Sequence, residues 1–374
     1  MSSEGRVRKA SDIQQAFDGL PDAGGTVYLP SGTYEVEQTL KLELKEGQHL
    51  FLVGDGRTTK LVNVNTSGGV LMHIVGAVGT WWPDLRITIR DLTFIGNHDS
   101  GDALIIEYPN DTMVDSCAFF GHGGKAIHLK VQGTNTTVRD CWMRDCKRAL
   151  VADNLHHLTM HGNQTRGMRV SADQGQVQAE HVYLGANCRE CRIVNNHFAY
   201  GDAEAIILDG TAQHVLANNC IEGFTKAIYA VDCRDMVINA NYLHSPKGVH
   251  LVGDCHAFAI TGNTMINCPE GSVVVEDGAG SGGHVISGNV MRKSVYGGLG
   301  GDWTEGGVCL GEASDCVVNG NVIEEVHGMP AVSAGPGGGG HVIAANRIAR
   351  NDMPGIAVDC ASECEVSGNL VDEG

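Results

Sequence analysis

Short apolar segments recur along the chain at a nearly constant spacing. One pattern has an apolar residue, two further residues, an asparagine, one variable residue and a second, usually apolar, residue. It reads IVNNHF, LANNCI, INANYL, ITGNTM, ISGNVM, VNGNVI, IAANRI and VSGNLV, and its asparagines are Asn196, Asn219, Asn241, Asn263, Asn289, Asn321, Asn346 and Asn369. Asn163, Cys141, Cys117 and Leu92 take the same position in earlier repeats. Repeats of this period are typical of solenoids, whose units stack on one another.

A second pattern lies between these segments: a small residue followed by an apolar, a variable and an apolar residue. It reads ALII at 103, AIHL at 126, AIIL at 205, AIYA at 227, GVHL at 248, GVCL at 307 and GIAV at 355. Each repeat thus holds at least two short strands with alternating burial, separated by turns rich in Gly and Asn. We therefore predict an all-β fold, a right-handed parallel β-helix of about 12 coils stacked roughly 4.8 Å apart.

The repeated asparagine has two predicted roles. Asn tolerates left-handed backbone conformations, which suits a turn. Equivalent Asn side chains in neighbouring coils can also bond to one another along the helix axis.

The first 30 residues do not follow the repeat. Ser11 and Gln14 have capping-box spacing, which predicts a short helix over SDIQQAFDGL, followed by an entry strand. Solenoids need such a cap over the apolar end of the first coil. We expect one β-helix domain over residues 1–374, with insertions at about 164–190 and 292–307.

Composition narrows the possible functions. Aromatic residues make up only 5% of the chain, so the core must be built from aliphatic side chains. The formal net charge of −18 argues against a general nucleic-acid binder, which needs a basic surface. No apolar run is long enough for a membrane span, and MSSEGRVRKASDIQQAF contains no apolar stretch of a secretory signal.

The 13 cysteines are expected to be packing residues. Cys188 and Cys191 form one CxxC pair, but no second pair or nearby histidine completes a zinc site, so no metal ligands are assigned. Reduced cysteines favour a cytoplasmic or otherwise reducing origin.

Several segments resemble the opening of the pectate-lyase-like β-helix superfamily: DIQQAFDGLPDAGGTVYLPSGTYEV, LFLVGDGRTTKLV and ITIRDLTFIGN. The repeated Asn turns extend the resemblance over essentially the whole chain. It implies a polysaccharide ligand, as in pectate and alginate lyases, mannuronan epimerases, polygalacturonases, inulin fructotransferases and phage tailspikes. It also implies a monomer or homotrimer, and leaves Ca²⁺ open as a cofactor. The Asp-Pro-His-Glu motif of the epimerases is absent, and Gly121-His122-Gly123 precedes Gly201-Asp202, the reverse of the polygalacturonase order.

Aligning the repeats predicts two neighbouring columns of outward side chains with a mostly basic character. The residue before each small–apolar–variable–apolar segment gives Asp102, Lys125, Arg148, Arg166, Glu204, Lys226 and Lys247, and the variable residue gives Ile105, His128, Val151, Arg169, Ile207, Tyr229 and His250. Elimination from a uronic acid needs a cation to neutralise the carboxylate and a base to take the adjacent proton. We assign catalytic roles to Arg166, Arg169, Tyr229 and His250, and substrate binding to Lys125, His128, Arg148, Lys226 and Lys247.

The two insertions and one acidic group supply further candidates. His181, Tyr183, Tyr296 and Trp303 are expected to line a groove, with Tyr183, Tyr296 and Trp303 stacking on sugars. Asp202, Glu204 and Asp209 form the densest acidic group, and Glu204 and Asp209 are assigned catalytic roles. Such carboxylates can act as the acid and base of a glycosidase or bind Ca²⁺.

Three functions follow from these residues. The favoured one is a polysaccharide lyase, a class taken here to include fructotransferase-like enzymes. The second is a glycoside hydrolase or transferase with paired carboxylates. The third is an epimerase or a non-catalytic glycan-binding module such as a tailspike. All three share a polysaccharide or oligosaccharide partner.

Overall fold

The computed structural model describes residues 8–78, 83–167, 180–276, 280–293 and 306–373. The chain divides into two compact units, residues 1–197 and 198–374, and the strand His197–Ala199 spans the division. In each unit, short parallel strands form three sheets, which we call sheets I, II and III. Successive strands of one sheet come from successive coils, as a parallel β-helix requires.

The first unit contains six or seven strands in each sheet and one short helix. Sheet I consists of Arg8–Lys9, Gly32–Val36, Thr59–Asn63, Thr93–Ile95, Ala118–Phe120, Trp142–Arg144 and Gln164–Arg166. Sheet II consists of Gly24–Leu29, His49–Gly54, Ile87–Arg90, Thr112–Asp115, Thr137–Arg139, Thr159–His161 and Arg192–Val194. Sheet III consists of Leu40–Glu43, Met72–Val75, Leu104–Glu107, Lys125–Lys130, Arg148–Ala152 and Val182–Leu184. Gly133–Thr134 pairs with Leu155–His156, and Gly56–Thr58 is a 3₁₀ turn.

The second unit repeats the same three-sheet plan. Sheet I contains Cys220–Glu222, Tyr242–His244, Thr264–Ile266, Val290–Arg292, Val322–Glu324, Arg347–Asn351 and Leu370–Glu373. Sheet II contains Val215–Ala217, Arg234–Asn239, His256–Thr261, Val285–Ser287, Val317–Asn319, Val342–Ala344 and Glu365–Ser367. Sheet III contains Glu204–Asp209, Lys226–Val231, Lys247–Val252, Val273–Glu276, Val308–Cys309, Val332–Ala334 and Ile356–Val358.

Burial alternates along these strands as the sequence pattern predicts. In Lys226–Val231, Ile228 and Ala230 are buried, whereas Tyr229 between them is only half-buried. Alternation of this kind sends one face of a strand into the core and the other outward. The all-β fold is thus confirmed. The 13 strands of sheet III give about one turn more than the repeats counted from Leu92 onward.

The repeated asparagines form buried ladders, as predicted. In the second unit each Asn side chain donates to the side-chain oxygen of the next Asn at 2.9–3.0 Å, from Asn219 through to Asn369. Most also donate to a main-chain carbonyl, as Asn263 does to Ile238 at 2.9 Å. In the first unit Asn163 donates to Asn196 at 2.9 Å. Unpaired amides would be costly at this burial, so the ladder fixes the register of the coils.

The predicted left-handed turn lies one residue earlier than expected. In the second unit it is the residue preceding each ladder asparagine that has a positive φ: Asn218, Ala240, Gly262, Gly288, Gly320, Ala345 and Gly368. The ladder asparagine itself keeps an ordinary backbone, because its side chain must point inward to reach its neighbours. Gly is frequent before the ladder because it adopts positive φ without strain.

The predicted N-terminal helix is present, but its predicted capping box is wrong. The helix spans Ala10–Asp18, so Ser11 lies inside its first turn. Gln14 instead bonds both ways with the backbone of Lys41, at 2.8 and 2.9 Å, on the first strand of sheet III. Ile13 and Phe17 are buried beneath the helix. The helix therefore covers an otherwise open strand edge and apolar end. No helix among the described residues is long and apolar enough to cross a membrane.

Candidate functional site

The outward face of sheet III carries most of the predicted site residues. The alignment of the columns is correct for Lys125 with Arg148, and for Glu204, Lys226 and Lys247, which are register partners on neighbouring strands. The predicted basic stripe, however, contains a carboxylate beside most of its cations. Each unit therefore has a face of mixed charge.

In the first unit, His128 lies between two carboxylates. Its Nδ1 is 3.1 Å from Asp102 Oδ2, and its Nε2 is 3.9 Å from Asp153 Oδ2. The Lys125 ammonium is 3.3 Å from the same Asp102 oxygen, whose carboxylate also accepts the Lys125 backbone N–H. Burial opposes a charge on His128, but the two carboxylates outweigh it and raise its pKa. The pKa of Asp102 is lowered, because these partners outweigh the effect of its burial.

The next basic residue of the first unit is also neutralised. Arg148 pairs with Glu180 through two guanidinium nitrogens, one of them at 3.0 Å. Its guanidinium carbon lies 5.7 Å from the centre of the Tyr183 ring. Tyr183 is half-buried on Val182–Leu184, where sugar stacking was predicted for it.

Two arginines were predicted in this column. One of them, Arg166, lies in a different sheet, and the other is outside the described residues. Arg166 ends the sheet I strand Gln164–Arg166, beside Arg144, and its side chain is exposed there. The coil after Asn163 is longer than the others, and its sheet III strand is Val182–Leu184. The match of GMRV at 167 to the small–apolar–variable–apolar pattern therefore selected the wrong segment. The sheet III register pairs Leu150 with Val182, which brings Glu180 rather than Arg166 beside Arg148. Arg169 lies outside the described residues.

In the second unit, Lys226 joins Glu204 and Tyr229. The Lys226 ammonium is 2.5 Å from Glu204 Oε1 and lies 4.4 Å from the centre of the Tyr229 ring. This adds a cation–π contact to the ion pair. The Glu204 carboxylate, predicted as a catalytic group, is therefore held by a cation.

His250 is the most enclosed histidine on this face. It is 3% exposed, its Nε2 bonds to the Glu276 carboxylate, and its ring centre lies 5.3 Å from that of Tyr229. Burial and then the positive charge of Lys247 lower its pKa, against the opposing effect of Glu276. His250 is thus kept neutral near pH 7. Within the described part of the chain, Lys247 has no carboxylate in ion-pair distance.

Several side chains of the outward column of sheet III are nearly buried. Ile105, Val151, Val274 and His250 are all nearly buried although they point away from the core. At the half-buried Tyr229 of the same column, the Lys226 ammonium lies over the ring. A ligand that approached Tyr229 from that side would meet this charge first.

The remaining candidates are only partly brought together. Asp202 is exposed at a turn, and Asp209 is half-buried at the end of Glu204–Asp209, facing Val231 on the next strand. His181 does not line a groove: it is fully buried and bonds through Nδ1 to the Thr165 hydroxyl. Tyr296 and Trp303 lie outside the described residues.

Sequence reasoning missed two carboxylates, Glu180 and Glu276, on this face. Glu276 ends Val273–Glu276 and is in register with Val252. It therefore continues the alternating pattern two residues beyond the variable residue Val274, as Asp209 does beyond Ile207 in its own strand. Reading one residue further along each strand would have found it. Glu180 had no such signal, because a long coil precedes it.

The cysteines behave largely as predicted. Within the described residues no cysteine forms a disulfide, and nine of the 13 are buried. Cys188 and Cys191 are both fully buried, with Cys191 bonding to main-chain carbonyls. They are packing residues of the first unit.

Comparisons with known proteins agree with the architecture. A family model described as a right handed beta helix region matches residues 175–290. No curated protein sequence matches the chain. Among solved structures, the A-module of the Azotobacter vinelandii mannuronan C-5 epimerase AlgE6 is 18% identical, with 98% of this chain and 96% of that chain covered and a TM-score of 0.66.

Two other solved structures show the same fold with different titles. The Dettilon tailspike protein gp208 is 13% identical over 95% of this chain and 65% of that chain, with a TM-score of 0.63. An alginate lyase from Paenibacillus sp. str. FPU-7 is 13% identical over 78% of this chain and 95% of that chain, with a TM-score of 0.51. At these identities the likeness concerns the fold alone.

Proposed function

From the right-handed β-helix fold that this chain shares with the pectate-lyase-like superfamily, we propose that the protein is a polysaccharide lyase for an acidic sugar chain. Its centre is Tyr229, His250, Glu276 and Lys247 on sheet III of the second unit. One observation carries this proposal: a neutral, buried histidine oriented by a carboxylate lies against a tyrosine and next to a lysine without an ion-pair partner among the described residues.

The chemistry assigned to these groups is an elimination. His250 takes the proton from the carbon next to the sugar carboxylate, and the bond between the neighbouring carbon and the glycosidic oxygen breaks. Tyr229 gives its hydroxyl proton to that leaving oxygen, and a carbon–carbon double bond forms in the sugar. Proton return from His250 to Tyr229 through solvent restores the site. A base acts well when its pKa places it in the neutral form at the working pH, which burial and Lys247 favour for His250.

The cations supply the second requirement. The proton next to a carboxylate becomes acidic only when the carboxylate charge is neutralised in the transition state. Lys247 is the best placed cation for this, since Lys226 is already bound to Glu204. Because His250 is 3% exposed, the incoming sugar must displace neighbouring side chains to reach it. Ca²⁺ is not needed in this scheme.

The alternatives have less support. A hydrolase needs one carboxyl group that is protonated as the acid, and Glu204 is instead held by Lys226 at 2.5 Å. An epimerase shares the first proton transfer but returns a proton to the same carbon without cleaving the chain. A tailspike-like binding module would need none of the His250 contacts.

The first test is a panel of acidic and neutral polysaccharides, incubated with the protein with and without EDTA. The products are followed by ultraviolet absorbance and mass spectrometry. We expect unsaturated oligosaccharides from an acidic polymer, and the same yield with EDTA. Tyr229→Phe should abolish them, whereas Tyr242→Phe, which changes an exposed tyrosine of sheet I, should not.

Other products would overturn the proposal in distinguishable ways. Saturated fragments would indicate a hydrolase and direct attention to Glu204 and Asp209. Altered sugar stereochemistry without cleavage would indicate an epimerase. Binding without any product would indicate a glycan-binding module.

A further inference from the structure

We propose that His341, Cys360 and Cys364 form a binding site for a soft divalent cation such as Zn²⁺, at the last turns of the second unit. One ring nitrogen of His341 and the two Sγ atoms all lie within 4.8 Å of one another. Among the described residues, this is the one group of three such side chains that could hold a metal ion. It lies apart from the sheet III site and does not depend on the proposed lyase activity.

The fold brings the three side chains together from two consecutive turns. His341 immediately precedes the strand Val342–Ala344, and Cys364 immediately precedes Glu365–Ser367. Val342 and Glu365 are register partners, so His341 and Cys364 hold equivalent positions on adjacent strands. Neighbouring strands lie about 4.8 Å apart, so side chains at equivalent positions can bring their ligand atoms close together. Cys360 approaches from the turn that follows Ile356–Val358.

His341 is the anchored member of the group. It is 1% exposed, and its Nδ1 accepts the backbone N–H of Cys316 at 3.2 Å. Its Nε2 is buried and has no hydrogen-bond partner. A buried nitrogen without a partner is unusual, since burial removes the water that would satisfy it. Binding a metal through Nε2 moves the ring proton to Nδ1 and gives up the single bond from Cys316.

The donor set identifies the class of ion. Two thiolates and an imidazole suit Zn²⁺ and related soft ions, whereas Ca²⁺ and Mg²⁺ require oxygen ligands. On binding, each thiol releases one proton to solvent, and the ion gains two sulfur bonds and one nitrogen bond. The fourth tetrahedral position stays open for water or an added ligand.

The position of the site suggests what the ion does. The two half-buried cysteines lie at the turns where inward apolar side chains become exposed: Val366 is 49% exposed and Val371 is 38% exposed. A metal that joins His341 to Cys360 and Cys364 would tie the last turn to the one before it. A ligand that binds only the folded state stabilises the protein against unfolding.

Metal binding by the full chain tests the proposal. The protein is reduced, freed of metal and titrated with Co²⁺, whose tetrahedral thiolate complexes absorb in the visible and near-ultraviolet. Zn²⁺ then displaces Co²⁺ in competition with a chromophoric chelator. We expect one equivalent of tetrahedral Co²⁺, and its bands should be lost in Cys360→Ser and in Cys364→Ser. Cys220→Ser, which changes another half-buried cysteine of the same unit, should bind as the unaltered protein does.

A second readout separates a structural effect from a metal site. Zn²⁺ should slow amide hydrogen exchange over residues 356–371 in the unaltered protein and leave it unchanged in Cys364→Ser. The proposal is overturned if the reduced protein binds no Co²⁺, or if the cysteine variants bind it equally. Cys360 and Cys364 could also be found joined in a disulfide. If the protein still binds no metal after that disulfide has been reduced, the proposal is overturned as well.

Discussion

His128 in the first unit and His250 in the second occupy the same position of the repeat, the variable residue of AIHL and GVHL. Both point outward from sheet III and both have a carboxylate partner. Their charge states nevertheless differ. The pKa of His128 is raised, because Asp102 and Asp153 outweigh burial, whereas burial and Lys247 lower the pKa of His250.

The difference comes from the coils on either side. His128 has a carboxylate near each ring nitrogen, so its cation is balanced on both sides. His250 has one carboxylate partner, Glu276, its ring packs against that of Tyr229, and the positive charge of Lys247 acts on it from the same strand. The repeat position therefore fixes where a side chain points. The neighbouring residues determine whether a histidine at that position is a cation in a structural ion pair or a neutral group that can accept a proton.

Replacing the histidine in each site should give the largest difference in kcat between the two sites. His250→Gln should lower kcat roughly 100- to 10,000-fold on the polymer that the unaltered protein cleaves, the range usual for a lost general base. His128→Gln should leave kcat within about threefold, since its ring is enclosed by structural carboxylates. The measurement is product absorbance, with circular dichroism as a check on folding. Equal losses in the two variants would show that the first unit also contains the reacting centre.

Removing each lysine should give a smaller contrast. Lys247→Gln should lower kcat/KM roughly ten- to hundredfold, since hydrogen bonds to charged groups are worth about 1.5–3 kcal/mol. Lys125→Gln should change kcat/KM little, because Lys125 already forms an ion pair with Asp102 at 3.3 Å. The comparison is made on the acidic polymer at low and high salt. A loss for Lys125→Gln as large as that for Lys247→Gln would contradict the assignment of the cation that meets the sugar.

The fold could be predicted because its cause is periodic. The asparagine ladder and the alternating burial of strands such as Lys226–Val231 repeat at nearly constant intervals. The pattern in one coil therefore supports the strand assignment in the next. The residue register of Glu204, Lys226 and Lys247 followed from the same periodicity. Where the period changes, the prediction of the register failed. Arg166 was aligned with Arg148, although the residue that pairs with Arg148 is Glu180.

The candidate site could be predicted only in part, because ion pairing depends on contacts between coils rather than on position within one. The sequence shows Lys226 and His250 as basic or titratable residues on one face. It does not show that Lys226 is bound to Glu204, or that Glu276 from the following coil orients His250. The sequence did not point to the proposed metal-binding group of His341, Cys360 and Cys364, because only cysteines separated by two residues were sought and His341 comes from the preceding turn.

The smallest expected effect is the difference between the two histidines in their own titrations. NMR of the imidazole protons should give a pKa above the ordinary value near 6.5 for His128 and below it for His250. Asp102→Asn removes the larger carboxylate effect, so the pKa of His128 should fall while that of His250 stays the same. Because folding raises the pKa of His128, its charged pairs stabilise the protein below pH 6.5 and this contribution is lost as pH rises through the folded pKa. His250 has the opposite sign: its neutral form is favoured by folding, so its contribution is present at higher pH and is lost as pH falls from 6.5 through its folded pKa. An Asp102→Asn protein in which His128 still titrates above 6.5 would show that Asp153 alone sets its charge, and the contrast between the two units would then rest on one carboxylate.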